Sequence, residues 1–195
     1  MKMPGRVRKL GRLIVSPPAR QNALHEWRRQ RRGEPDLPPG PIRHVLVCCL
    51  GNLCRSPFAA GFLTDLRPQL SVRSAGFEAR EGAPAEPAAV RAAARFGVDL
   101  APGKARFLAT EDVTWANLIL AMEGHHAARL ARRWPRARAK TRLLGDFLSV
   151  PPHTIGDPWG WSDEVFELTF ERIAAALGRV AERLEARGPE CSGGP

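Results

Sequence analysis

The stretch Cys49-Leu50-Gly51-Asn52-Leu53-Cys54-Arg55 sets a thiol six positions before a guanidinium and is followed at once by Ser56-Pro57. Serine suits a helix N-cap and proline the first helical position, so a helix is expected to open here. A glycine-containing turn ahead of a helix exposes successive backbone N–H groups at the positive end of the helix dipole, which is a seat for phosphate. Arg55 brings a planar cationic fork suited to two phosphoryl oxygens. Those donors favour Cys49 as its thiolate, and a thiolate beneath a bound phosphate is a nucleophile for phosphoryl transfer. A Cys and an Arg at this spacing are common by chance; the chemistry requires a strand before them and a helix after them.

Both are legible. His44-Val45-Leu46-Val47-Cys48 is a short apolar, β-branched run of the kind found in a strand buried on both faces. After Pro57, Phe58, Phe62, Leu63 and Leu66 form one helical stripe. Further strands fit Ser71-Val72-Arg73-Ser74-Ala75-Gly76, Asn117-Leu118-Ile119-Leu120-Ala121-Met122 and Thr141-Arg142-Leu143-Leu144, with helices over 86–97, after Met122 to about Arg133, and from Ser162. That last helix stacks Phe166, Phe170, Ile173, Leu177, Val180 and Leu184 at steps of four and three. Alternation of this kind predicts an α/β fold, a parallel sheet with helices on both faces and the phosphate loop between its first strand and first helix.

At 195 residues, 44% of them apolar, the chain can bury a core of its own. It contains neither an apolar run long enough to span a membrane nor the apolar stretch of a secretory signal, which points to the cytoplasm. Three of its four cysteines, Cys48, Cys49 and Cys54, crowd together and Cys191 lies in the tail, which is neither a disulfide framework nor a zinc-ligand pattern. The formal charge of +10 is uneven: residues 1–43 carry +8 and the rest +2. Basicity confined to a leader does not make the domain a nucleic-acid binder. Residues 1–42 read as a basic, Pro-rich extension and linker, broken at Pro17-Pro18 and at 34–41, with a short basic helix between them over 19–32. Its composition predicts a partly disordered, solvated arm, accessory to activity on small substrates, and its charge also suits an acidic lipid or partner surface. Residues 187–195 read as a flexible tail.

The stretch Val47-Cys48-Cys49-Leu50-Gly51-Asn52-Leu53-Cys54-Arg55-Ser56-Pro57 resembles the signature of the low-molecular-weight protein tyrosine phosphatases, bacterial type. Ser74-Ala75-Gly76, Lys104-Ala105-Arg106, the 118–122 strand, Leu143-Leu144-Gly145-Asp146-Phe147 and Asp157-Pro158-Trp159 echo the same family in order, over residues 43–186. The resemblance implies a four-stranded parallel sheet and hydrolysis of protein phosphotyrosine through a phosphocysteine intermediate, without metal or organic cofactor. It makes Cys49 the nucleophile, Arg55 the phosphate and transition-state binder, and Leu50, Gly51, Asn52, Leu53, Cys54, Arg55 and Ser56 the phosphate-binding loop. Ser56 would hydrogen-bond the Cys49 sulfur, and Asn52, a residue that tolerates left-handed backbone, would hold the loop's shape. Asp157 is the general acid and base: the leaving oxygen needs a proton, the later attack of water needs one removed, and one carboxyl serves both. Pro158 biases Asp157 towards an extended conformation from which the carboxyl can project. Asp146, at a strand end, is the competing carboxylate and is expected to cap or brace. Trp159 and Trp161 either wall the cleft or pack in the core. Oxidation could join Cys54 to Cys49, whereas Cys48 is expected to point into the sheet packing and His125 and His126 to be solvated.

The family carries a histidine shortly before its Ala-Arg pair as a brace for the loop; here the position is Gly103, so that brace is expected to be missing. Arsenate reductases share the loop but need two further cysteines, and none occurs between Arg55 and Glu190. Arginine phosphatases place threonine where Leu53 stands, and an apolar Leu53 favours an aryl phosphate. A phosphate-binding regulatory module without turnover is the non-enzymatic alternative. The partner implied is a tyrosine-phosphorylated protein, with a tyrosine kinase of polysaccharide export as the family's usual bacterial counterpart.

Overall fold

The structure, a computed structural model, describes residues 17–187, so Cys191 and the first part of the leader lie outside the described residues. Four strands, β1 (His44–Cys49), β2 (Ser71–Gly76), β3 (Leu118–Ala121) and β4 (Thr141–Leu143), form one parallel sheet in the order β2-β1-β3-β4. Val47 pairs with Ser74 on one side and Leu120 on the other, so β1 is central.

Alternation along these strands divides the core into two layers. Val45, Val47, Cys49, Leu118 and Leu120 face helices α2 (Arg55–Leu66), α3 (Pro87–Ala94) and α6 (Asp163–Glu185). Leu46, Cys48, Ala75, Ile119 and Ala121 face the opposite layer, where α4 (Thr110–Trp115) and α5 (Gly124–Arg133) contribute Val113 and Leu130. Burial on both faces is why the strands read as unbroken apolar runs. Adjacent Cys48 and Cys49 therefore point to opposite layers. Phe58 of α2 stacks on Phe170 of α6, centroids 4.1 Å apart and rings parallel to 1°, a contact worth about 0.5–1.5 kcal/mol beyond its buried area. It ties the helix that follows the phosphate loop to the longest helix of the fold.

The leader departs from expectation. Pro17–Arg32 is a helix, α1, and Pro17-Pro18 open it rather than break the chain, because first-turn residues have no intrahelical acceptor for the N–H that proline lacks. Gly33 closes it in left-handed conformation (φ 74°), donating its N–H to the Arg29 carbonyl. Instead of standing in solvent, α1 docks on α5. The segment that follows is pinned too: Leu37 enters the core, Arg142 donates to the Asp36 carbonyl, and Arg187 to the carbonyls of Leu37 and Pro38 at 2.9 and 2.6 Å. A proline-rich stretch cannot use a ladder, so arginine side chains satisfy its carbonyls instead.

Candidate active site

β1 ends at Cys49 and α2 begins at Arg55, so the intervening turn sits at the carboxyl end of the central strand, where open α/β sheets bind ligands. Its left-handed residue is Asn52 (φ 54°), not Gly51. The position strains most L-residues by about 1–2 kcal/mol, and asparagine among the least. Four contacts hold Asn52 there. Its Oδ1 accepts from the Arg106 N–H at 2.8 Å, its Nδ2 donates to Ser56 Oγ and Ser74 Oγ, both at 2.9 Å, and its own N–H donates to Cys49 Sγ at 3.2 Å. Since Ser56 Oγ already accepts from Asn52, its proton is free for the sulfur, 3.0 Å away.

Ser56 is thus not the N-cap. The helix begins two residues earlier than expected, at Arg55, with Cys54 in the cap position and no side-chain cap, and the serine hydroxyl turns to Cys49 instead. No histidine stands at Gly103; Ser74 and the Arg106 backbone hold the loop through Asn52, and a cavity of about 320 Å³ lined by Asn52, Pro102 and Gly103 lies behind it. Arg106 is itself anchored, its guanidinium 3.1 Å from buried Asp112. Gly76 is required by proximity, since a Cβ there would lie 2.7 Å from the Leu50 carbonyl and 2.8 Å from the Asn52 nitrogen. These contacts give the Ser-Ala-Gly and Lys-Ala-Arg stretches their roles: both serve the underside of the loop.

Arg55 is buried, and its guanidinium is divided between two sides. Nη1 donates to Glu123 Oε1 at 2.8 Å and to the Ile155 carbonyl at 2.9 Å; Nη2 faces Asp157 Oδ2 at 2.9 Å. Burial pulls the Arg55 pKa down, but Asp157, Cys49 and Glu123 outweigh it and the net direction is up, leaving a permanent cation. Asp157 also accepts the Trp159 N–H on Oδ1 at 3.2 Å, a side-chain turn that aims the carboxylate inward. Cys49, Leu50, Gly51, Leu53, Cys54, Arg55, Asp157 and Trp159 line one pocket of about 130 Å³. Trp159 is 60% exposed and Trp161 is exposed as well, so neither indole belongs to the core. Burial, then Asp157, pushes the Cys54 thiol up, and burial does the same to Cys48, so both are protonated near neutral pH.

Glu123 was missed by sequence reasoning. The available signal was its place, one residue past Met122 at the carboxyl end of the second central strand. The loop that brings Ile155 and Asp157 to Arg55 is held by the Ile155 N–H on the Met122 carbonyl at 2.9 Å. It also needs Gly145, where a Cβ would fall 2.4 Å from the His153 carbonyl oxygen. Asp146 braces, as expected, rather than reaching the pocket: its Oδ1 lies 2.6 Å from His25 Nε2. The histidines correct the sequence reading, because His126 is fully buried and stacks on Phe77, and His125 is half-buried. Glu123, His125 and His126 offer ligand atoms within 4.8 Å of one another, a spacing a metal ion could use. Both Glu123 oxygens are already engaged, by Arg55 and Asn22, and the nearby Arg55 and Arg129 cations make the spot unfavourable for a further positive charge.

A family model described as low molecular weight phosphotyrosine protein phosphatase matches residues 44–189. The chain belongs to that family. Among its low-molecular-weight phosphatase relatives is the Etp protein-tyrosine-phosphatase of Escherichia coli, 36% identical over 140 residues, 72% of this chain and 93% of that one. Two solved structures superpose well. The YwlE arginine phosphatase of Geobacillus stearothermophilus has a TM-score of 0.71 at 33% identity, covering 80% of this chain and all of that one. The tyrosine phosphatase Wzb of Escherichia coli K30, in complex with sulphate, has a TM-score of 0.70 at 33% identity, covering 74% and 99%. The family match begins where β1 begins, so α1 and the arginine-pinned segment precede the phosphatase domain proper. Among the described residues no helix is long and apolar enough to cross a membrane.

Proposed function

We propose that the chain hydrolyses protein phosphotyrosine through a phosphocysteine intermediate. The observation that carries this reading is the convergence of Cys49, Arg55 and Asp157 on one pocket at the carboxyl end of the sheet. Phosphoryl oxygens take the loop N–H groups and the Arg55 edge that Asp157 otherwise occupies. Cys49 Sγ attacks phosphorus while the bond to the phenolic oxygen breaks, and Asp157 gives that oxygen its proton. Water then attacks, Asp157 takes a proton from it, and the S–P bond breaks to return the thiolate and release inorganic phosphate. Ser56 Oγ and the Asn52 N–H stabilise the sulfur whenever it carries charge.

The walls of the pocket support an aryl substrate. Leu50, Leu53 and Trp159 are its apolar lining, and Trp159 stands exposed at the rim, where a phenol ring can pack against it. Relationship to the Geobacillus arginine phosphatase, 34% identical over 142 residues, favours phosphoarginine as the second reading. The protein substrate we propose is a tyrosine kinase of polysaccharide export, on family resemblance, and the compartment the cytoplasm, on the reactive thiol. Full-length protein assayed on phosphotyrosine, phosphoarginine and phosphoserine peptides decides between the readings. Turnover of phosphotyrosine is expected, lost in Cys49→Ser; turnover confined to phosphoarginine overturns it in favour of the second reading.

A further inference from the structure

Glu123 holds Arg55 from behind, and something outside the matched domain holds Glu123. Asn22 of α1 donates its Nδ2 to Glu123 Oε2 at 2.8 Å, while Arg55 occupies Oε1. The same Asn22 side chain turns its Oδ1 to the His125 N–H at 3.4 Å. That N–H belongs to the first turn of α5, whose own cap residue, Glu123, makes no side-chain cap bond. An N-cap function that a helix normally supplies itself is thus supplied from another element. The close approach requires glycine: a Cβ on Gly124 would stand 2.9 Å from the Gln21 carbonyl oxygen and 3.1 Å from His25 Cβ.

Further along α1 the same face grips the segment that leads to Asp157. His25 Nε2 meets Asp146 Oδ1 at 2.6 Å and Arg29 Nη2 donates to the Asp146 carbonyl at 2.7 Å. Glu26 accepts the His153 backbone N–H at 2.6 Å and pairs with His153 Nδ1 at 2.9 Å. Burial pushes the Glu26 pKa up, but the bonds from His153 outweigh it and hold the carboxylate ionised. Asn22, His25, Glu26 and Arg29 recur at helical steps of three and four, one polar stripe, and all four are engaged. Residues 153–157 then run through Ile155, whose carbonyl accepts from Arg55, to Asp157.

We propose that α1 is a positioning element of the active site and that Asn22 is a positioning residue for Arg55, acting through Glu123. This rests on the reading of Arg55 as the phosphate-binding group. Without Asn22, Glu123 Oε2 has His125 Nδ1, 3.7 Å away, as its next partner. Turning towards it draws Oε1 off Arg55 Nη1, and the guanidinium is left to Asp157 in front, where it competes with phosphate. The family match begins at β1, so α1 and the brace it supplies lie outside the matched residues.

The test uses the full chain. Asn22→Ala is compared with wild type for kcat and KM on p-nitrophenyl phosphate and for inhibition by inorganic phosphate, with Arg28→Ala, on the exposed side of the same helix, as control. Phosphate inhibition is expected to weaken about 3- to 10-fold and kcat/KM to fall by a similar factor, with the control unchanged. A role in stability only would give additive losses; here Asn22→Ala should add little in a Glu123→Gln background, because the path through Glu123 is already cut. Equal phosphate inhibition in folded Asn22→Ala and wild type overturns the proposal. So does full additivity with Glu123→Gln. Asn22→Ser, whose shorter side chain cannot span the gap, takes the same measurements if the alanine variant does not fold. An inactive wild type would instead sink the phosphatase reading; protection of Cys49 from iodoacetamide by phosphate would still report whether Asn22 positions Arg55.

Discussion

Two carboxylates hold the same guanidinium from opposite sides, and their surroundings divide the labour between them. Behind Arg55, Glu123 has 13% of its side chain exposed and both oxygens committed, one to Arg55 and one to Asn22. In front, Asp157 is 39% exposed and meets Arg55 on one oxygen while the other accepts only a nearby backbone N–H. A carboxylate that is enclosed and doubly bound is a brace; one at the rim, tethered by charge, can exchange a proton and give way to substrate. Chemical type does not separate these residues. Packing does.

That contrast can be broken in graded steps. Largest should be Cys49→Ser, which removes the nucleophilic sulfur and with it all measurable turnover of p-nitrophenyl phosphate, while phosphate still binds the folded pocket. Asp157→Ala comes next, lowering kcat by about 10²- to 10⁴-fold on phosphotyrosine. Its inhibition by inorganic phosphate should be undiminished or stronger, because the competing charge on Arg55 is gone; weaker phosphate binding would place Asp157 with the braces. Glu123→Gln should do the opposite and weaken phosphate inhibition about tenfold or more, since the guanidinium loses its brace from behind and is left to Asp157, which competes with phosphate in front. Unchanged phosphate inhibition in this variant would dissolve the front-and-back distinction. Trp159→Ala should raise KM several-fold for aryl phosphates and leave alkyl phosphates almost untouched, as read from steady-state kinetics on both.

The smallest effect concerns stability. Burial first, then His125 and the neighbouring arginines, hold the His126 pKa well below its ordinary 6.5. The unfolded chain takes up a proton near that pH which the folded chain refuses, so stability is full above it and falls as pH drops below about 6.5. Melting temperature between pH 7.5 and 5.5 should therefore decline less in His126→Phe than in wild type. An identical slope would mean that other groups set the acid limit.

What was legible follows from local physics. Strand and helix alternation, the register of Phe166 through Leu184 and the position of the phosphate loop are all written in periodicity, and the structure reproduces them. Asn52 could be assigned its left-handed role because few residues tolerate one. Ser56 lies two positions past the cap it was expected to be, since a Ser-Pro pair looks the same whether the hydroxyl caps a helix or faces a sulfur. The docking of α1 was not legible for a sharper reason. Its contact face is Asn22, His25, Glu26 and Arg29, all polar, and a polar stripe on a basic helix is indistinguishable from a solvated one until its partners are known. Those partners, Glu123, Asp146 and His153, lie about a hundred residues away in sequence or further. Burial of His126 escaped notice likewise, because nothing local announces Phe77 as its stacking partner.

The arginine-pinned segment ahead of β1 bears on the order of assembly. Its carbonyls are gripped by Arg142 and by Arg187, the last residue described, and the helix before it binds residues between 123 and 153. During synthesis α1 emerges about a hundred residues ahead of Glu123, Asp146 and His153, and Pro38 emerges 149 residues ahead of Arg187. The sheet and the phosphate loop have their own local contacts and need not wait. A nascent chain can therefore carry a shaped loop around Cys49 before the residues that α1 grips, 123 to 153, have followed it.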